Sequence, residues 1–413
     1  MDLEALSKEL EIKAATIVEG ISIDLPALEG VGSRYNEDIS AIFGYYMRDL
    51  PPGSCFPRDF RLPLGTLVKV SYNPRSQYSV RKDNGSLVLE KSGKFISTVE
   101  WVDRPKFLEK ETSDGVKMKM VAQLQADCAL MVCVNNFCTN WADGLECRYC
   151  NMNPAHQARD KQVLTTKKNC QIGEVAAEVL KEGYNLHLVL SGGFLPEEKA
   201  TDAYIKVLEA IKEHTGLEEV YGCANLPVPK DLKKVEKLYK AGFKSVLYDL
   251  EVWNPDMFKA ICPGKAKKVG RDNWLRALEY AATLFQPGTV ICGFVQGLEE
   301  KNNYYEAAEY LAERGVVTLL IPWVPMQGSK LEGHRAPYGE WIYEVNEKVF
   351  EIINHHIPQI TTEEYFYKSG VPCYRCGSVF LYADQVRRAV GGKEFPMPRD
   401  KQSPSSTDIQ EKN

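Results

Sequence analysis

Three cysteines and a histidine share one short segment of the chain, NNFCTNWADGLECRYCNMNPAHQ at residues 135–157. Cys138, Cys147 and Cys150 form a C-x8-C-x2-C pattern, and His156 follows them. Three thiolates and one imidazole can hold a tetrahedral zinc ion, as they do in structural zinc sites. Three thiolates alone can instead ligate three irons of a [4Fe-4S] cluster and leave the fourth iron open to another molecule. The spacing by itself allows either site.

A second C-x2-C pair, formed by Cys373 and Cys376, lies near the C-terminus. Two cysteines at this spacing can supply half of the ligands of a metal site. The pair predicts a second iron-sulfur cluster or a single metal ion, and a structural zinc, a redox-active pair and two unligated thiols are the alternatives. Candidates for the missing ligands are Cys55, Cys128, Cys133 and His334.

The composition of the 413-residue chain is that of a globular protein, with 44% hydrophobic and 26% charged residues. A net charge of −5 gives no general basic field for a phosphate backbone, so we do not expect nucleic acid as a partner. The N-terminus lacks the pattern of a secretory signal, and no apolar run approaches the roughly 18 residues of a transmembrane helix. These features predict a cytoplasmic protein without a membrane partner, in which closely spaced cysteines serve metal or redox chemistry.

Six apolar runs alternate with segments of helical period between about residues 125 and 350. The runs are DCALMVCV, NLHLVLSGG, EEVYGCANL, KSVLYDLEV, GTVICGFVQG and VVTLLIPWV. Strands of this kind are buried on both faces, so they predict a parallel sheet covered by helices, with right-handed crossovers. The predicted fold class is α/β, with a partial (β/α)6 TIM-like barrel. Periodicity alone does not separate this barrel from an open doubly wound sheet.

These sequence patterns divide the chain into four predicted regions. We expect the barrel at residues 121–355, after a small α+β module at 1–120 that begins with a helix and continues with short strands. Residues 356–395 form a C-terminal extension that carries the second cysteine pair. Residues 396–413 are polar and contain Pro and Ser, which predicts a disordered tail.

The cysteine segment follows the first predicted strand, at the end of the barrel where βα loops build active sites. A zinc finger, by contrast, is usually a small autonomous module. A cysteine triad in this position, with an aromatic residue (Tyr149) inside its C-x2-C pair, resembles the radical S-adenosylmethionine (SAM) superfamily. The commonest motif of that superfamily is C-x3-C-x2-C, and this chain has a longer first spacing. The segments EVWNPDMFKAICPGK and GFVQGLE look most like the branch of biotin synthase and the hydrogenase-cofactor maturases.

The resemblance implies that Cys138, Cys147 and Cys150 hold a [4Fe-4S] cluster whose open iron binds SAM. It also implies that Tyr149 lies near the adenine of SAM and that His156 is not a ligand. The other residues that it implies for SAM binding follow later strands: Ser191, Gly192, Gly193, Asn225, Glu251 (with Asp249 as the alternate) and Gln296. Each position also has a purely structural explanation, because Gly-Gly after a strand can be a turn and a carboxylate there can cap a helix.

The implied activity is reductive cleavage of SAM to a 5'-deoxyadenosyl radical, which takes a hydrogen atom from a substrate that the sequence does not identify. Cofactor or small-molecule biosynthesis is the expected setting, with an electron donor such as flavodoxin or ferredoxin. Modification of a peptide or protein is the alternative within the same family. A zinc-stabilised RNA-binding or scaffold protein is the alternative from another class.

Overall fold

The computed structural model describes residues 2–31, 56–125, 129–158, 164–363, 365 and 378–392. The predicted second metal site lies outside these ranges, because Cys373 and Cys376 are not among the described residues. The same holds for Cys55 and Cys128 and for the tail expected at 396–413. A second cluster therefore stays a prediction.

The N-terminal module combines one long helix with a six-stranded sheet. Helix α1 spans Leu3–Glu19, and the Asp2 side chain caps it by accepting hydrogen bonds from the backbone N–H groups of Glu4 and Ala5. The strands are β1 (Ser22–Ile23), β2 (Asp59–Arg61), β3 (Leu67–Lys69), β4 (Tyr78–Asp83), β5 (Ser86–Lys91) and β6 (Lys94–Trp101). Their order is β1-β4-β5-β6-β2-β3, and the module has the α+β character that the sequence predicts.

A two-residue turn, Asn84-Gly85, joins β4 to β5. Both residues have positive φ, 47° at Asn84 and 86° at Gly85. Asn-Gly favours this geometry, which matches the twist of the two strands it connects. The turn sets the register that places Val80 opposite Leu89, and both side chains are buried beneath α1 in the core of the module.

The second sheet has seven strands in the order β13-β12-β11-β10-β9-β8-β7. Its strands are β7 (Gln123–Gln125), β8 (Ala129–Cys133), β9 (His187–Ser191), β10 (Tyr221–Asn225), β11 (Ser245–Leu247), β12 (Val290–Gln296) and β13 (Val316–Pro322). Strands β8 to β13 are parallel, and β7 pairs antiparallel with β8.

Helices fill the connections between the parallel strands. They are α2 (Thr139–Ala142), α3 (Met152–Ala158), α4 (Asn169–Lys181), α5 (Glu197–Thr215), α6 (Lys233–Ala241), α7 (Pro255–Ile261), α8 (Pro263–Lys268), α9 (Arg271–Ala282) and α10 (Lys301–Ala312), followed by α11 (Gly339–His356) and α12 (Tyr382–Ala389). None of the helices in the described ranges is both long enough and apolar enough to cross a membrane.

Burial on both faces explains why the barrel strands are so apolar. All seven residues of β12 are buried, and β13 has one partly exposed residue. One side of each strand packs against the helices and the other faces the interior of the curled sheet. The predicted α/β fold with a partial (β/α)6 barrel is confirmed.

The N-terminal module packs against the open side of the barrel sheet. Helix α1 contacts α11, α12 and β13. Lys13 on α1 forms a buried ion pair with Asp384 on α12, with 2.6 Å between Nζ and Oδ2. At the other edge of the sheet, Nη1 of Arg58 donates a hydrogen bond to the carbonyl oxygen of Leu124 on β7. The module and α12 therefore bridge the gap between β13 and β7, which do not pair with each other.

Candidate active site

A cavity of about 360 Å³ lies within the curled sheet. Its apolar wall consists of side chains from the inner face of six strands, and these are Met131, Val189, Cys223, Leu247, Ile291 and Leu319. The loops that follow the strands line one end, and residues of the N-terminal module and of α12 line the other. A pocket of this size, mostly apolar with a few polar groups, is typical of a small-molecule site.

The structure brings Cys138, Cys147 and Cys150 together along this cavity. All three lie in the loop between β8 and α4, where local hydrogen bonds fix the backbone. The N–H of Cys138 donates to Oδ1 of Asn153 at 3.1 Å, and the N–H of Cys150 donates to the carbonyl of Cys147 at 3.1 Å, closing a turn. The sequence order of strand, triad and helix thus produces three thiols that face one space.

The eight-residue spacing between the first two cysteines has a structural explanation. Residues 139–146 form the single turn α2, followed by a reversal in which Leu145 donates its N–H to the carbonyl of Asn140. Gly264 at the start of α8 packs on this segment, because a Cβ there would lie 2.5 Å from both the Asn140 Cγ and the Leu145 oxygen. The insert therefore docks onto α8. The indole N–H of Trp141 is buried without a hydrogen-bond partner among the described residues.

The Gly192-Gly193 segment after β9 also lines the cavity, as does Ser191. A Cβ on Gly193 would lie 2.1 Å from the carbonyl oxygen of Phe137, so the residue must be glycine for the cysteine loop to approach this closely. The N–H of Gly193 donates to the carbonyl of Asn135 at 3.1 Å. The glycine pair thus packs directly against the cysteine loop, and it is more than a turn.

A buried ion pair lies at the ends of β11 and α8. The Nζ atom of Lys265 is 2.6 Å from Oε1 of Glu251 and donates a second hydrogen bond, also 2.6 Å, to the carbonyl of Asp249. Glu251 has a φ of 75°, a conformation that non-glycine residues rarely adopt and that is found mostly at functional sites. Burial opposes the charge on Lys265, but attraction from Glu251 and from nearby thiols and Asp249 raises its pKa.

Asp249 is the second carboxyl group of this region. Its Oδ2 accepts a hydrogen bond from Nδ2 of Asn225 at 3.0 Å, and its Oδ1 has no partner among the described residues. Burial and then repulsion from Glu251 raise the pKa of Asp249 to about 7. Gly293 on β12 leaves the space that the carboxyl group fills, since a Cβ there would lie 1.9 Å from Oδ1.

The three thiols differ in their electrostatic surroundings. Burial raises the pKa of Cys138, and it raises the pKa of Cys150 to about 12. A hydrogen bond from Cys262, aided by the charge of Lys265, lowers the pKa of Cys147. Burial and donation to Cys147 raise the pKa of Cys262. The buried thiols of Cys138 and Cys150 ionise only when a nearby cation compensates their negative charge, and the irons of a cluster would be such cations.

A [4Fe-4S] cluster fits this donor set in its chemistry. Three thiols line one cavity, and thiolates are the usual ligands of such clusters. Within the described residues, however, no three His, Cys, Asp or Glu side chains are gathered as they would be around a metal ion.

The remaining predicted SAM-binding residues fall into two groups. Tyr149 lines the cavity beside the triad, and Asn225 and Glu251 line it at the ends of β10 and β11. Gln296 does not reach it. Its Nε2 donates to the carbonyl of Ile342, and its Oε1 accepts from Asn346, so this side chain links β12 to α11. Cys262 and Lys265 also belong to this region and were not among the predicted site residues.

One curated enzyme matches the chain over 229 residues at 32% identity, and it is the bacteriochlorophyllide c C-7(1)-hydroxylase of Chlorobaculum limnaeum. The match covers 52% of this chain and 57% of that enzyme. The chain thus spans a little over half of the length of the relative it matches. No protein-family model matches the chain.

Solved structures with a similar fold include methylornithine synthase, at 13% identity and a TM-score of 0.41, covering 70% of this chain and 78% of that one. A radical SAM methyltransferase from Sphaerobacter thermophilus has 15% identity and a TM-score of 0.40, covering 68% of this chain and 76% of that one. Structural likeness at this level is loose.

The family resemblance rests on residues that the fold brings together. The triad occupies the loop after the first parallel strand of a partial barrel, and the glycine pair and the acid of later strands line the same cavity. Sequence similarity to a curated enzyme extends over half of the chain. The positions of these residues agree with the resemblance to the radical SAM superfamily that the sequence carries.

Proposed function

We propose that Cys138, Cys147 and Cys150 hold a [4Fe-4S] cluster at which the enzyme cleaves SAM and starts a radical reaction on a small organic molecule. The observation that supports this most is that the three thiols, the glycine pair and Glu251 line one cavity. The bound cluster, reduced by a donor such as flavodoxin or ferredoxin, supplies the electron that breaks a carbon–sulfur bond of SAM, and the 5'-deoxyadenosyl radical so formed takes a hydrogen atom from the substrate.

The backbone of Gly192-Gly193 and the side chain of Glu251 are suited to orienting SAM. The N–H of Gly193 is already hydrogen-bonded within the protein, and its carbonyl oxygen accepts from Nδ2 of Asn135 at 3.3 Å. The carbonyl oxygen of Gly192 is therefore the group best placed to accept a hydrogen bond from an ammonium group. Lys265 engages only Oε1 of Glu251, which leaves Oε2 to accept from a ribose hydroxyl group. Asn225 donates to Asp249 and keeps its own amide oxygen for the cofactor or the substrate.

The cavity supports a small molecule as the proposed substrate. Its inner wall is apolar and is closed by the N-terminal module, so it favours a small molecule over an extended peptide. The matched relative is named as a hydroxylase of bacteriochlorophyllide c. By analogy, we propose that the reaction here also functionalises a carbon–hydrogen bond of a biosynthetic small molecule.

The test is SAM cleavage by anaerobically purified and reconstituted protein. We expect iron and sulfide in the purified protein, and 5'-deoxyadenosine when SAM and a strong reductant are added. Cys147→Ser should abolish both the cluster and the product, whereas Cys170→Ser, which alters an exposed cysteine on α4, should change neither. Protein that contains zinc and forms no 5'-deoxyadenosine would refute the proposed function.

A further inference from the structure

A buried lysine lies at the base of the cysteine loop. Lys167 is 4% exposed and is not among the residues that line the cavity. Its Nζ atom donates one hydrogen bond to Oδ1 of Asn136 at 2.7 Å and another to the carbonyl oxygen of Leu164 at 3.1 Å. Both acceptors are neutral, so these bonds engage the ammonium group as a donor but do not balance its charge.

Backbone pairing holds the segment of Lys167 against the start of the cysteine loop. The N–H of Asn136 donates to the carbonyl of Thr165 at 2.8 Å. The N–H of Lys167 donates to the carbonyl of Val134 at 3.3 Å. Asn136 precedes Cys138 by two residues, and two residues span at most about 7 Å. With the 2.7 Å hydrogen bond and the lengths of the side chains added, the Nζ atom of Lys167 lies at most about 16 Å from the sulfur of Cys138.

No carboxylate balances the charge of Lys167 among the described residues. It forms no ion pair there, whereas the next residue, Lys168, is exposed and pairs with Asp114 at 2.7 Å. Burial lowers the pKa of Lys167 to about 8, and only ionisation of the nearby Cys133 thiol would oppose this shift. Burial raises the pKa of that thiol, so it stays neutral and supplies no counter-charge. A buried ammonium group without a counter-charge is costly, and it therefore calls for a negative charge that arrives with a bound group.

We propose that Lys167 is the counter-charge of the iron-sulfur cluster and makes that cluster easier to reduce. This inference rests on the proposed function, because it requires a [4Fe-4S] cluster at Cys138, Cys147 and Cys150. Three thiolates around the oxidised core of such a cluster leave one net negative charge, and reduction adds a second. A fixed cation stabilises the reduced form more than the oxidised form, so Lys167 raises the reduction potential.

The distance limit sets a minimum for the effect. Two unit charges about 16 Å apart, in a medium with an effective dielectric constant of about 20, change an equilibrium about fivefold. Because Lys167 is buried, dissolved salt screens this interaction only weakly. Removing the charge should therefore lower the ratio of reduced to oxidised cluster at a fixed potential by at least about fivefold.

Lys167→Gln removes the charge and keeps an amide N–H that can donate to Asn136. A redox titration of the reconstituted full-length protein, followed by EPR, should give a reduced-to-oxidised ratio at least about fivefold below that of wild type at the same potential. Lys167→Arg keeps the charge and should stay close to wild type. Lys168→Gln, which alters an exposed neighbour, is the matched control and should change nothing. A ratio in Lys167→Gln equal to or above that of wild type would overturn the proposal.

The cluster-free protein separates this role from a purely structural one. Without the cluster the buried charge is a cost, so Lys167→Gln should leave the thermal midpoint unchanged or higher. A lower midpoint would contradict the proposal, because the lysine would then stabilise the protein without the cluster. Loss of iron in Lys167→Gln but not in Lys167→Arg would support the counter-charge. Wild type that forms 5'-deoxyadenosine, together with a wild-type ratio in Lys167→Gln, would refute only this inference, and wild type that binds no iron would refute the proposed function.

Discussion

Replacing Lys265 with methionine should destabilise the protein by about 3–5 kcal/mol, the cost of leaving a buried charge without its partner. The side chains of Lys265 and Glu251 are 12% and 9% exposed, and the 2.6 Å contact between them is the one ion pair of Glu251 among the described residues. Methionine keeps most of the volume of lysine, so the loss would come from charge rather than from a cavity. Urea denaturation of the cluster-free protein measures this loss in the free energy of unfolding.

The sign of the pH dependence provides a second check on Lys265→Met. Without the lysine, Asp249 and Glu251 repel each other with nothing to offset them, so the pKa of Asp249 should rise further above its present value of about 7. A folded-state pKa above the unfolded value means that stability is present at low pH and is lost as pH rises. The deficit of the variant should therefore be smaller at about pH 5.5 than at about pH 8.

Lys259→Met is the control, because Lys259 forms an exposed pair with Asp256, at 71% and 93% side-chain exposure. Its loss should cost less than about 0.5 kcal/mol. A loss below about 1 kcal/mol in Lys265→Met, or a deficit that grows at low pH, would refute the electrostatic reasoning.

Two further predictions concern the cavity and its closure. Gly193→Ala places a Cβ 2.1 Å from the carbonyl oxygen of Phe137, so the cysteine loop must shift. The amount of iron bound per chain after reconstitution should therefore fall, and an unchanged iron content would contradict the assigned contact. Lys13→Met removes the closer of two cationic partners of buried Asp384, which keeps Arg387 at 3.8 Å, and should lower the free energy of unfolding by about 2 kcal/mol in urea. A loss near zero would show that the α1–α12 contact does not depend on this pair.

Periodicity was sufficient to predict parallel strands covered by helices, because strands buried on both faces leave continuous apolar runs, but it did not by itself distinguish a partial barrel from an open sheet. The run KSVLYDLEV is the instructive exception, since only Ser245–Leu247 forms a strand. Beyond it the backbone leaves regular pairing and reaches a φ of 75° at Glu251, where an isolated bridge to Phe294 restores contact with β12. An apolar sequence pattern does not predict the strained backbone of Glu251, although it does predict that this carboxylate follows a strand.

The candidate site was predictable where a residue follows a strand and unpredictable where distant segments meet. Cys138, Gly193 and Glu251 belong to the first kind. Cys262 and Lys265 come close to the triad because α7 and α8 fold back over the barrel end, and their segment ICPGK contributed to the family resemblance without marking either residue. Gln296 ends its strand as predicted, but all of β12 is buried and this side chain points to α11.

The cavity lining shows the same limit more strongly. Arg58, just before β2, and Gln123, the first residue of β7, are 65 residues apart in sequence, and only the packing of the N-terminal module on the barrel brings them to one cavity. Nothing in either local sequence marks a cavity residue.

The central claim is that three cysteines hold a four-iron cluster with one iron open to SAM, and EPR spectroscopy of the reduced, reconstituted protein tests it most directly. We predict the signal of a reduced [4Fe-4S] cluster whose g-values shift when SAM is added, and loss of that signal in Cys138→Ser, Cys147→Ser and Cys150→Ser. His156→Ala should keep both the signal and the shift. A cluster signal that SAM does not move, or that survives loss of any of the three cysteines, would contradict the account.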